Sequence, residues 1–247
     1  MCLYIEVNVI ISFKTKNSPH LISENIENSI NSACNDWKCE YIRIEESLQP
    51  EGFHDMFTKL YLPYKVNNFS RCLYLDTDIL IKKNSPNPFE LFDNEDCCYV
   101  VKDMQQPFLS DEIKQEFKNN QLCKPWYNVC KDSLKIELDY NTYNDGFFNA
   151  GMIMFTPKKH IYLFDKIIES LDSIQHPYSK IHQVEQALLN YTFMYYLKEK
   201  LVYISKEWNY IDPPLESNNM EGYIYHFTGW YYQKYKSLLQ TYDLWKK

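Results

Sequence analysis

The sequence predicts an α/β protein built on a doubly wound sheet flanked by helices. Three observations carry this. Over the first 75 residues, apolar runs that suit buried strands alternate with segments whose apolar residues recur at helical spacing. The third run, Cys72–Leu75, stops at an aspartate, and ligands of open α/β sheets bind at the carboxyl ends of strands. The 247 residues are 45% hydrophobic and 17% aromatic, which suffices for a substantial core.

Leu3 to Phe13 reads as a buried strand. Ile22, Ile26, Ile30, Ala33 and Trp37 recur at helical spacing and predict an amphipathic helix over 21–37. Tyr41, Ile42 and Ile44 suit a short second strand. Phe53, Phe57, Leu60 and Tyr64 mark a further helical face, with Pro63 near its end. After the Cys72–Leu75 strand, Asn84–Pro88 is a turn and Tyr99–Val101 a strand. The polar stretch 104–145 predicts one helix near 109–119 and loops elsewhere. Phe147–Phe155 is a strand. Ile161, Phe164, Ile168 and Leu171 mark one helix, and Val184, Leu188, Tyr191 and Tyr195 the next. Leu201–Ile204 and Tyr223–Phe227 are short strands. Neither a repeat nor a linker interrupts the chain, so one domain over 1–247 is expected.

The net charge of −7 argues against partners that present phosphate backbones or anionic membrane surfaces, so no nucleic acid is expected. It does not exclude a nucleotide diphosphate, because a bound metal can supply the positive charge. The eight cysteines show neither a CxxC pair nor zinc spacing and read as buried, reduced thiols. The first residues, MCLYIEVNVIISF, lack a basic n-region and are interrupted by Glu6 and Asn8. With no run long enough to span a bilayer, a cytoplasmic location is expected.

The chemistry concentrates at Leu73–Ile81. Asp76 and Asp78 stand one residue apart where an apolar strand ends. Such a pair can hold a hard divalent cation that bridges the phosphates of a nucleotide diphosphate. An aspartate-nucleophile phosphatase would place such a motif near the chain start and add a later acidic pair. Neither a dinucleotide fingerprint nor a P-loop is present, and Lys14–Ser18 lacks the glycines a nucleotidyltransferase loop would use.

Several fragments fall in a familiar order from Asp55 to Trp230. They are Phe57–Leu60 (FTKL), the Asp76–Asp78 strand, Phe89–Phe92, Phe148–Met152 (FNAGM), Val184–Asn190 (VEQALLN), Trp208–Asn209 and His226–Gly229 (HFTG). Together they resemble glycosyltransferase family 8, the glycogenin-like retaining enzymes. The resemblance implies a GT-A fold, a single Rossmann-like mixed sheet flanked by helices. It also implies a hexosyltransferase that takes a UDP-sugar, UDP-glucose being the first guess, and passes it to a glycan or protein acceptor.

By the same resemblance, His226 joins Asp76 and Asp78 as the third metal ligand. The imidazole favours manganese, with magnesium possible. Lys59, Thr77, Asp103, Asn149, Ala150, Gly151 and Gly229 would contact the donor, and Glu185 and Gln186 would carry catalysis. Glu185 stands where the family has aspartate. Tyr232 takes the place of a lysine, with Lys234 as its substitute two residues later. Phe13, Thr15 and Asn17 would face the base. Glu185 is the nameable nucleophile for a double displacement; the alternative is same-face attack by the acceptor. A weakly active binding module derived from such an enzyme, a self-glycosylating protein and a homodimer are further expectations.

Overall fold

The computed structural model describes residues 7–14, 24–103, 124–174, 178–211 and 222–227. The helix expected near 109–119 lies outside the described residues, as do Thr15, Asn17, Gly229, Tyr232, Lys234, Cys2 and Cys123.

The chain opens as its apolar pattern predicts. Strand β1 (Val9–Phe13) leads to α1 (Glu24–Trp37), β2 (Glu40–Ile44) and, further on, β3 (Cys72–Leu75), and β1 pairs in parallel with both β2 and β3. Helix α1 buries Ile26, Ile30, Ala33 and Trp37, the residues whose spacing announces it. The helical face around Phe57 divides into a 3-10 helix, Asp55–Tyr61, and a short α2, Leu62–Lys65. Pro63 is the cause. It has no N–H for the Lys59 carbonyl, which instead accepts from Leu62 through a tighter bond.

After β3 come β4 (Ile79–Ile81), α3 (Pro88–Leu91) and β5 (Cys98–Lys102). The segment expected to be loop holds two helices, α4 (Lys124–Leu134) and α5 (Tyr140–Asp145). Tyrosine hides them in the sequence. Tyr127 packs edge-on or tilted against Tyr140, Tyr143 and Tyr191. The Tyr191 hydroxyl donates to the Ile136 carbonyl at 2.9 Å and accepts from the Leu138 N–H at 3.0 Å. A period counted on aliphatic residues alone misses a face built from rings with polar tips.

The remaining elements are β6 (Phe148–Phe155), α6 (Pro157–Ser170), α7 (His182–Leu197), β7 (Leu201–Ile204), β8 (Tyr210–Ile211) and β9 (Ile224–His226). The central sheet runs β2-β1-β3-β6-β5-β7, with β6 antiparallel to its neighbours and β7 parallel to β5, so the sheet is mixed. Both its faces are covered, which is why its inner strands are largely apolar, while the edge strand β2 carries Glu40 and Arg43. Along β1, Val9, Ile11 and Phe13 enter one core and Ile10 the other. Along β3, Cys72 and Tyr74 oppose Leu73 and Leu75. Helices α6 and α7 cover the first face. Helix α1 and a small second sheet, β4-β9-β8, cover the other. The six described cysteines are free. Among the described residues no helix is long and apolar enough to cross a membrane.

The pairing of β5 with β6 carries one irregularity. Val100 pairs with Ile153, but the next residue, Val101, pairs with Asn149. Ala150, Gly151 and Met152 therefore have no counterpart on β5, and β6 bulges there. Bulges re-aim side chains and cluster beside active sites. The start of β6 is clamped to α7 by Asn190, which is fully buried. Its Oδ1 accepts from the Phe148 N–H at 2.7 Å, and its Nδ2 donates to the Phe148 carbonyl at 2.9 Å. Asn190→Ala would orphan both backbone groups, and we expect a loss of about 3 kcal/mol. A fall in the urea midpoint with an unchanged slope is the expected result.

Candidate active site

Strand β3 ends by handing its chain to a loop that holds both aspartates. The Asp76 N–H donates to the Gly151 carbonyl at 2.8 Å, across the bulge of β6. The Asp78 carbonyl accepts from the Phe227 N–H at 2.9 Å, which extends the pairing of β4 with β9. In that antiparallel pair Ile79 faces His226, so the imidazole arrives beside Asp78 although the sequence separates them widely.

Asp76, Asp78 and His226 offer ligand atoms that lie within 4.8 Å of one another. His226 Nε2 is 3.2 Å from Asp78 Oδ1 and 3.8 Å from Asp76 Oδ2. Asp78 Oδ1 is buried and accepts no hydrogen bond, an expensive state for a carboxylate oxygen. On the far side, the Tyr74 hydroxyl donates to Asp76 Oδ1, and Lys59 Nζ reaches the same oxygen at 3.4 Å. Asp76 is thereby left with Oδ2 toward the histidine.

Lys59 is 3% exposed and spends its ammonium within the protein. Besides Asp76 it meets Glu185 Oε1 at 2.6 Å and the Ala150 carbonyl at 3.1 Å, and it lies 5.0 Å from the centre of the Tyr74 ring. Burial works against its charge, but Asp76 and Glu185 outweigh burial and its pKa is raised. The extra methylene of Glu185 over the expected aspartate serves this contact. Glu185 is 2% exposed. Burial raises its carboxyl, with Lys59 opposing. Formally, three carboxylates around one ammonium leave two uncompensated negative charges here, which suits a divalent cation. Two carboxylates and an imidazole are also a donor set that divalent metals of borderline softness accept.

The bulge supplies the floor. Gln186 Oε1 accepts from the Ala150 N–H at 3.1 Å, so both backbone groups of the fully buried Ala150 are engaged by side chains. Asn149 Oδ1 accepts from the Gly151 N–H at 2.9 Å and from Asn209 Nδ2 at 3.0 Å. Gly151 is required by space. A Cβ there would sit 2.2 Å from His226 Cε1 and 2.7 Å from its Nδ1. Asp103 follows β5 and is partly exposed. Burial pushes its carboxyl up to about 6, with His226 opposing. Phe13 ends β1, packed near Tyr74 with ring centroids 6.3 Å apart.

Of the residues singled out in the sequence, Lys59, Asp76, Asp78, Asn149, Ala150, Gly151, Glu185, Gln186 and His226 form one connected cluster. Lys59, expected at the donor, is turned inward. Tyr74, Asn190 and Asn209 are further members to which the sequence assigns no role. A polar residue inside an otherwise apolar strand is the available signal for Tyr74.

The sequence matches the family model for glycosyl transferase family 8 over residues 1–231. The chain belongs to this family. The protein is therefore a glycosyltransferase, and the family implies a nucleotide-sugar donor and an acceptor. A search of curated proteins finds no match. Among solved structures, a glycosyltransferase involved in glycosylating the major capsid of PBCV-1 has a TM-score of 0.60 at 12% identity, covering 96% of this chain and 100% of that one. Mouse xyloside xylosyltransferase 1 gives 0.52 at 13% identity, covering 91% and 98%. The galactosyltransferase LgtC, solved with donor and acceptor sugar analogues, gives 0.51 at 14%, covering 95% and 96%. At these identities the likeness is one of fold, and the fold is GT-A.

This geometry makes two outcomes measurable. Gly151→Ala should push the imidazole off the carboxylates and weaken the binding of a divalent cation by Asp76, Asp78 and His226 at least ~10-fold, with Mn²⁺ as the probe and its free signal in electron paramagnetic resonance as the readout. Asp103 has a folded pKa above its unfolded value. Its ionised form therefore costs stability above about pH 6, and that cost is relieved as pH falls toward 4. In chelated protein, Asp103→Asn should raise stability at pH 8 by about 1 kcal/mol, kept small by the residue's partial exposure, and leave it unchanged at pH 4.

Proposed function

We propose that this chain transfers a hexose from a UDP-sugar to a glycan or protein acceptor, with a divalent cation, manganese before magnesium, held by Asp76, Asp78 and His226. The observation that carries this reading is the buried, unbonded Asp78 Oδ1 facing His226 Nε2 and Asp76 Oδ2 inside a locally anionic cluster. When bound, the cation supplies Lewis-acid stabilisation of the departing diphosphate.

The protein's own residues prepare that site. Tyr74 and Lys59 fix one oxygen of Asp76, so the other is presented without the entropy of a free carboxylate. Lys59 contributes charge from behind Asp76. Gln186 and Lys59 set the backbone of Ala150, and with it the path of Asn149 and Gly151 beneath the donor sugar. In this reading Asp103, which follows β5, meets sugar hydroxyls. Gly229 and Lys234 complete the donor site in this reading.

We assign Glu185 to holding Lys59, because its carboxylate is buried and 2.6 Å from the ammonium. A nucleophile would need that oxygen beneath the anomeric carbon. Retention then results from attack of the acceptor hydroxyl on the face the diphosphate leaves: the new C–O bond forms as the sugar–phosphate bond breaks, and the hydroxyl proton passes to the departing phosphate oxygen.

The first test is hydrolysis of a panel of nucleotide sugars with manganese, with magnesium and with chelator. Manganese-dependent release of UDP from one donor, lowered at least ~10²-fold by Asp78→Ala, is expected. Absence of release from every donor, with no thermal shift on adding UDP and manganese, would overturn the reading. The role of Glu185 has its own test. Glu185→Gln should keep measurable turnover, reduced ~10–100-fold through a loosened Lys59, and intact mass should show no sugar on the protein. Loss of all turnover, or a trapped glycosyl adduct on Glu185, would restore the nucleophile.

A further inference from the structure

A metal-ligating imidazole must offer a lone pair, so one ring nitrogen has to be bare and the other has to hold the proton. In this protein the choice can be deduced from a backbone group. The Gly151 N–H is fixed by the bulge of β6 and donates to Asn149 Oδ1, which identifies that atom as oxygen. The atom of Asn209 that meets the same oxygen at 3.0 Å must then be Nδ2. The other end of that amide, Oδ1, lies 3.2 Å from His226 Nδ1. An oxygen there accepts, so Nδ1 carries the proton. Asn209 is fully buried and His226 4% exposed, so water does not compete for this contact. The opposite tautomer would set Asn209 Oδ1 against Asn149 Oδ1, oxygen to oxygen.

We propose that Asn209 is a positioning residue: through the chain Gly151–Asn149–Asn209 it fixes His226 as the Nδ1–H tautomer and turns the bare Nε2 toward Asp76 and Asp78. The inference deepens the proposed metal site and rests on it for its purpose, but its geometry stands without a metal. Gly151 serves twice, by its N–H and by the space it leaves for the ring.

The test is a long-range proton–nitrogen correlation spectrum of protein labelled with ¹⁵N-histidine, chelated and at alkaline pH with the ring neutral. His226→Gln identifies the resonance. Wild type should show the Nδ1–H pattern. Asn209→Leu should shift the ring toward Nε2–H and weaken Mn²⁺ binding ~10–100-fold by paramagnetic resonance titration. Asn149→Asp, which keeps the oxygen acceptor, should preserve the wild-type tautomer. An Nε2–H ring in wild type, or an unchanged tautomer in Asn209→Leu, would overturn the proposal. If Asn209→Leu fails to fold, the wild-type spectrum and Asn149→Asp still decide. An Nδ1–H ring in a protein that binds no Mn²⁺ would keep the tautomer assignment and remove the metal reading, so the two fail separately.

Discussion

The pairing of Ile79 with His226 across β4 and β9 is the constraint on which the site depends. It is a backbone contact, made by the small second sheet rather than by the central one. Without it the two aspartates would be an acidic turn at the end of β3. With it, an imidazole from far along the chain is set beside them. The Phe227 N–H to Asp78 carbonyl bond continues the same ladder into the loop, so the register fixes Asp78 itself as well as its neighbour. Because side chains alternate along a strand, a slip of one residue would turn His226 to the other face.

Electrostatics explains why the cluster around those three residues is so elaborate. Several carboxylates are buried near one ammonium, and isolated buried charges are too costly to persist. The protein answers with Lys59, shared between Asp76 and Glu185, and with the Tyr74 hydroxyl. These contacts settle Asp76 Oδ1 and leave its Oδ2 turned toward His226. The same arrangement accommodates a glutamate at 185, where the resemblance leads one to expect aspartate. The longer side chain lets the carboxylate reach the lysine, at the cost of withdrawing it from the surface.

The bulge in β6 links this polar cluster to the core. Regular pairing of β6 with β5 would aim successive side chains up and down. The extra residues Ala150 to Met152 instead bring Asn149, Gly151 and the Ala150 backbone to the histidine, the lysine and Gln186. Asn190 holds the strand at the point where it enters the bulge. The amides of Asn149 and Asn190 and the Ala150 backbone are tolerable this deep because they are given partners, whereas Asp78 Oδ1 is left without one.

Much of this architecture is legible in the sequence. The opening strands and helix, the long β6, the helices α6 and α7 and the Asp76–Asp78 pair emerge from apolar periodicity and from a carboxylate pair at a strand end. Those patterns report local geometry and one-sided burial, which a chain encodes residue by residue. What the sequence alone could not decide depends on distant segments meeting. In the second sheet β9 falls within the strand expected at Tyr223–Phe227, but its partners β4 and β8, three and two residues long, have no periodicity that announces the pairing. Helices α4 and α5 owe their stability to tyrosines packed on α7. The direction of Lys59 is set by Glu185 and Ala150, and the protonation of His226 by Asn209. A sequence determines which groups are available and on which face of its own element each lies. Only the packing of those elements decides which groups share a charge or a proton, because such interactions act across a few ångströms of space whatever the separation along the chain.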